Sequence, residues 1–196
     1  MKRALIVVGI VLAGLGALGI RVVVEGRRAL AAGDDAAREG RMTDAIAGWE
    51  AAARWYLPFA PHVDDAYERL IYLAGSEHAF ALAAWRAVRS AALATRTLWT
   101  PHADDLMTAN AQIAELASRD PEGALAAGPD AAARKAWHTE RLARDPGPSR
   151  GGVFLAVLGI GAWLAGIGMV IRGPAKLGAA VTVLGLIGWM IGLAIA

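Results

Sequence analysis

Residues 153–171 read VFLAVLGIGAWLAGIGMVI, residues 172–176 read RGPAK, and residues 177–196 read LGAAVTVLGLIGWMIGLAIA. The first run has no polar side chain, and the second has only Thr182. A membrane span needs roughly 17–25 apolar residues at about 1.5 Å rise each, so either run could cross a hydrocarbon core of about 30 Å. Arg172-Gly173-Pro174-Ala175-Lys176 lies between them. Gly-Pro breaks a helix, and so short a connection suits an antiparallel helical hairpin. Residues 153–196 are therefore expected to form a transmembrane hairpin, with residues 147–152 as the linker that enters it.

A third apolar run occupies residues 4–20, behind Met1-Lys2-Arg3. It reaches residue 24 through Val22-Val23-Val24 if Arg21 snorkels to the interface. A basic start and an apolar stretch also mark secretory signals. The nearest A-x-A site is Ala29-Leu30-Ala31, however, with Glu25, Arg27 and Arg28 in the way. Residues 1–24 therefore read as a retained N-terminal transmembrane helix, and the chain as a three-span protein.

These runs account for the composition. The chain has 196 residues, 56% hydrophobic and 19% charged, against about 45–50% and about 25% in ordinary soluble domains. That excludes disorder of the whole chain. With no cysteine, disulfide scaffolds, zinc fingers and thiol chemistry are excluded too. The formal charge of +2 and pI near 9.3 are not a nucleic-acid signature. All 18 acidic residues and 16 of the 20 basic ones lie within residues 21–150, leaving that segment at −2. The other four, Lys2, Arg3, Arg172 and Lys176, sit at span ends. A nucleic-acid partner is not expected, since it wants clustered Lys and Arg on one domain face.

Residues 25–146 read as one all-α extramembrane domain. Alanine, leucine, arginine and glutamate favour helix, and no stretch alternates as a strand would. Thr100-Pro101 and Asp120-Pro121 mark helix starts. Breaks are expected at 57–61, at Gly128-Pro129 and at Asp145-Pro146-Gly147-Pro148.

The domain contains an internal repeat. Gly40, Ala45 and Trp49 recur 36 residues later as Ser76, Ala81 and Trp85. Downstream, Trp55 and Pro61-His62-Val63-Asp64-Asp65 correspond to Trp99 and Pro101-His102-Ala103-Asp104-Asp105. This pattern resembles the tetratricopeptide repeat, a helix–turn–helix unit of about 34 residues. The resemblance covers roughly residues 25–118. In that family's second helix a small residue precedes an alanine, and an aromatic follows one turn later. The matching positions are Gly40, Ala45 and Trp49, then Ser76, Ala81 and Trp85. Gly33 suits the first helix, Arg69 does not suit the corresponding small position, and Gly128, Ala133 and Trp137 form an out-of-phase third match. The resemblance implies a short curved stack whose concave face binds a protein segment.

Chemistry is sparse. The Pro-His-x-Asp-Asp motifs could supply a histidine and carboxylates to a metal, but acidic residues in a first helical turn also simply oppose the helix dipole. No zincin, Walker, dinucleotide or nucleophile-elbow motif occurs. Ser76, Ser90, Ser118 and Ser149 have no supporting pattern. No catalytic residue, cofactor or metal site is assigned. Trp49 and Trp85 are expected in the core. Trp55, Tyr56 and Trp99 are candidates for a partner surface or the membrane interface. The spans lack internal ionisable residues, which argues against a channel or pump made by this chain alone. They do carry small-residue ridges that allow close helix packing: Gly9, Ala13 and Ala17; Gly161 and Ala165, with Ala162 and Gly166; Gly188 and Gly192.

These features predict a non-enzymatic accessory or scaffold subunit of a bacterial inner-membrane complex. Its expected partners are other integral membrane subunits and the bilayer, in an ion-driven envelope motor or an envelope-assembly machine. The alternatives are a metal-binding sensor built on the Pro-His motifs and an auxiliary transporter subunit. The positive-inside rule puts the N-terminus in the cytoplasm and the domain in the periplasm, although Arg21, Arg27, Arg28, Arg144 and Arg150 compete on the domain side.

Overall fold

The computed structural model describes residues 2–76, 79–97, 99–119, 130–144, 149–173 and 175–195, with backbone alone for 2–12 and 150. Among the described residues there are eight α-helices and no strand. They form two compact units, Met1–Thr95 with Thr100–Ala143, and Arg96–Trp99 with Arg144–Ala196.

Unit one starts with α1 (Lys2–Arg38), 37 residues long, or about 56 Å. The expected boundary between residues 24 and 25 falls inside this helix, which runs on unbroken. Nothing at 21–26 stops it: no proline is present, and a single Gly26 costs a helix only about 1 kcal/mol. The stop comes at Gly40, whose φ of +77° glycine adopts without the steric cost a side chain would add. Gly40 N–H donates to Ala37 O at 3.0 Å and Arg41 N–H to Ala36 O at 2.9 Å, the bond pair of a Schellman cap.

The chain then turns back as α2 (Met42–Arg54), followed by α3 (Pro61–Ser76), α4 (Ala81–Ala94), α5 (Ala103–Ser118) and α6 (Ala131–Ala143). Consecutive helices pack together, and α1 also touches α3, as α2 touches α4. α1 and α2 come very close. A Cβ on Gly48 would fall 2.7 Å from Gly33 Cα, and one on Gly33 would fall 2.6 Å from Trp49 Cδ1. The core is rich in alanine: Ala45, Ala52, Ala66, Ala84, Ala91 and Ala109 are fully buried. Small side chains let the backbones approach, and Trp49, Tyr67, Leu70, Trp85 and Val88 fill the remaining space. Both expected core tryptophans are thus in place.

The helix starts differ in detail from the sequence expectation. Pro61 begins α3, but α5 begins at Ala103 with His102 as its N-cap, two residues beyond Thr100-Pro101. Asp120-Pro121, Gly128-Pro129 and 145–148 lie outside the described residues. Among the described residues α6 packs mainly on α5, and none of its own residues is buried. Ala133 and Trp137 are half-exposed there. Polar contacts hold it: Lys135 Nζ reaches Glu115 at 2.8 Å, and Arg134 Nε donates to Ser118 O at 2.8 Å. Bonded by Lys135 first and Arg119 second, the Glu115 carboxyl titrates below its usual range.

Unit two is built on α7 (Arg150–Arg172) and α8 (Ala175–Ile195). Both are long and apolar enough to cross a membrane. Among the described residues these are the two such helices, where the sequence led us to expect three. The expected third span is the first part of α1, and the side chains of residues 2–12 lie outside those described. α7 starts at Arg150, so residues 150–152 of the expected linker are helical. Ser149 caps it: its Oγ accepts from Gly152 N–H at 3.0 Å and donates to Ile195 O at 2.5 Å, tying the open end of the hairpin.

Candidate functional site

The second Pro-His motif organises a polar and aromatic cluster. His102 adopts left-handed backbone angles, φ 54° and ψ 39°, a region in which histidine is enriched among non-glycine residues. Its ring stacks on Tyr67 of α3 at 3.9 Å between centroids and 11° between planes, and meets Tyr56 edge-on at 6.5 Å. Nδ1–H donates to Asp105 at 3.0 Å. Nε2 stands 3.8 Å from Asp64, a residue of the first motif. The Tyr67 hydroxyl is buried without a hydrogen-bond partner. Burial first, and the Asp105 charge second, hold its proton well above the usual phenol range. Thr95 pulls slightly the other way, but its own hydroxyl donates to Ala91 O at 3.0 Å.

His62, at the equivalent position of the first motif, does something different. It is 1% exposed, and its Nε2–H donates to Trp55 O at 2.8 Å. The ring lies on the backbone of α1, where a Cβ on Gly26 would fall 2.9 Å from Cε1. That bond places the proton on Nε2, and Nδ1 is left buried without a partner. The two histidines therefore share no centre. Among the described residues no group of three or more His, Asp or Glu is placed to hold a metal ion. His138, on α6, packs edge-on against Trp137 at 4.8 Å. Burial first, then Arg141 and Arg86, keep its imidazole below the usual range. His78 lies outside the described residues.

A second cluster joins three helices through Asp34. Its Oδ1 accepts from the Trp49 indole at 2.8 Å and from Arg69 Nε at 2.6 Å, while Arg69 Nη1 donates to Asp65 O at 3.0 Å. Arg69, the residue that did not suit the repeat, thus ties α3 to α1. Beside it, Glu68, Arg69, Ile71 and Tyr72 line an open groove of about 560 Å³ on α3. Tyr72 is 77% exposed there. Sequence spacing did not connect Arg69 with Asp34, because the two lie 35 residues apart, and no motif marked Tyr72.

Trp55 lies at the C-terminal cap of α2, 36% exposed, and Trp99 lies in a loop, 57% exposed. Tyr56 is half-buried and turned toward His102. Beside Trp55, Phe59 is fully exposed at φ +67°, a conformation that costs a bulky side chain about 1–2 kcal/mol.

Of the helix-packing candidates, Gly192 is buried in the hairpin, where a Cβ would fall 2.6 Å from Ala156 Cα, and a Cβ on Gly188 would make only ordinary contact, 3.7 Å from Gly159 Cα. Gly161 meets nothing within 4 Å, and Ala165 is exposed beside it. Ala13 and Ala17 are exposed on α1, and the surroundings of Gly9 lie outside the described residues. The hairpin seam includes Gly166 and Gly192 from those candidates and adds others: Gly152, Gly159 and Gly166 face Gly178, Gly185 and Gly192, every seventh residue on each helix. A seven-residue period keeps one face toward a left-handed partner, and this spacing was readable in the sequence.

Comparison with family models, with curated proteins and with solved structures finds no match to this chain.

Proposed function

We propose that this chain is a non-enzymatic accessory or scaffold subunit of a bacterial inner-membrane complex. Its α1–α6 unit acts as a tetratricopeptide-like domain that holds a partner protein, and its apolar helices pack on partner subunits in the bilayer. The observation that carries the reading is the burial of both repeat pairs, Ala45 with Trp49 and Ala81 with Trp85. They lie on successive second helices, α2 and α4, which touch each other. A stack of this kind leaves the first helices free to face a partner, and the groove beside Tyr72 lies on one of them, α3. In the same reading, residues 4–24 of α1 form a third span. The N-terminus is then cytoplasmic and the domain periplasmic. An ion-driven envelope motor or an envelope-assembly machine is the kind of complex this arrangement suits.

Extraction in a mild detergent followed by mass spectrometry of co-purifying proteins tests the proposal. The expected result is recovery with other integral membrane proteins in fixed proportion, reduced severalfold by Tyr72→Ala. Recovery of a lone monodisperse monomer overturns it.

A further inference from the structure

The α2–α3 loop lies beside a particular stretch of α1. α2 runs back along α1 with Gly48 against Gly33. Seven residues further along α2, Trp55 therefore lies level with α1 about seven residues before Gly33. The contacts agree: Trp55 O is bonded to His62, and the His62 ring lies on Gly26. The loop thus stands where the apolar run of α1 ends. Ile20 and Val24 are exposed there at 68% and 40%, and the exposed Arg21, Arg27 and Arg28 flank them.

At this level the loop exposes Trp55 and Phe59. Phe59 holds left-handed backbone angles with its ring wholly free of the core. Aromatic rings concentrate where hydrocarbon meets headgroups, and arginines beside them reach the phosphates. We infer that Trp55 and Phe59 insert into the headgroup boundary of the bilayer, so that the helical domain rests on the membrane surface. The inference rests on the proposed placement of residues 4–24 in the bilayer. α1 is unbroken from that run into the domain, so bilayer and domain meet at one fixed level, and the occupant expected beside the loop is lipid.

With no native cysteine in the chain, single-cysteine variants carrying an environment-sensitive fluorophore test this in the full-length protein. The variants are Pro58→Cys in the loop, Glu39→Cys at the far end of α1, and Leu15→Cys in the apolar run. Each is reconstituted into phosphatidylethanolamine–phosphatidylglycerol vesicles containing lipid brominated high on the acyl chain. The expected result is blue-shifted emission and strong bromolipid quenching at Pro58→Cys, quenching by aqueous iodide alone at Glu39→Cys, and return of the loop probe to water on adding Phe59→Asp. If Leu15→Cys is quenched by bromolipid while Pro58→Cys behaves as Glu39→Cys does, the interfacial loop is overturned and the N-terminal span stands. If Leu15→Cys is quenched by iodide alone, the span is overturned and the inference falls with it.

Discussion

The two Pro-His-x-Asp-Asp motifs are alike in sequence, and their neighbours decide what each histidine does. His62 faces the bare backbone at Gly26 and becomes a core residue. His102 has a flat tyrosine ring beside it and two carboxylates within reach, and it links α5 to α3. Its stacking partner gives a measurable pH dependence. Tyr67 holds its proton above the ordinary phenol value of 10.0 because burial penalises the phenolate and Asp105 adds to the penalty. An unfolded Tyr67 gives up that proton at lower pH than the folded one. The stabilisation is therefore fully present below the ordinary value and is lost as pH rises from there through the folded one. Urea unfolding in detergent micelles should show stability falling by about 1 kcal/mol per pH unit above about pH 10. Tyr67→Phe should remove most of that fall. The hydroxyl has no hydrogen-bond partner to lose, so the same variant should cost little at neutral pH. An unchanged alkaline slope in Tyr67→Phe would assign the loss to other groups.

At the scale of elements, spacing decides which surfaces meet. The apolar content and the Gly-Pro turn of residues 153–196 were sufficient to anticipate two long helices joined as a hairpin. They identified the seam only in part, at Gly166 and Gly192, because α7 and α8 carry glycine or alanine on several faces and close pairs such as Gly161 and Ala165 attract attention first. The pairing instead follows the longer period, Gly152, Gly159 and Gly166 against Gly178, Gly185 and Gly192. A Cβ on Gly185 would fall 2.8 Å from Ala162 C and from Gly159 O, which are backbone atoms that cannot turn aside. Gly185→Val should force the helices apart, while Gly161→Val should leave them paired. The Trp163 and Trp189 rings, 6.4 Å apart and 9° from parallel, supply the readout through their coupled near-ultraviolet circular dichroism. That signal should vanish in Gly185→Val and persist in Gly161→Val. Loss in both would mean that the seam lies elsewhere.

For the whole molecule, the question is how a polar helical unit and helices apolar enough to cross a membrane share one chain. Three spans would place the two ends on opposite sides of the membrane, and the proposed orientation puts the domain outside. Glu39→Cys should then react with a membrane-impermeant maleimide in intact spheroplasts, whereas protection until lysis would reverse the orientation. Much of this was legible in order along the chain. Helix content, the apolar runs, the end of α7 at Arg172 and the burial of Trp49 and Trp85 all follow from local composition and from periods of a few residues. Such signals survive in one dimension because each depends on neighbours in sequence. The continuity of α1 across residue 24 was hidden by the change in composition there, since polarity changes a helix's surroundings without interrupting its backbone bonds. The unlike fates of His62 and His102, the junction of Asp34 with Trp49 and Arg69, and the exposed ring of Phe59 were decided only by tertiary structure. Each depends on which distant backbone lies alongside, and that is set when small residues such as Gly26, Gly33 and Gly48 let helices pack close enough to choose their neighbours.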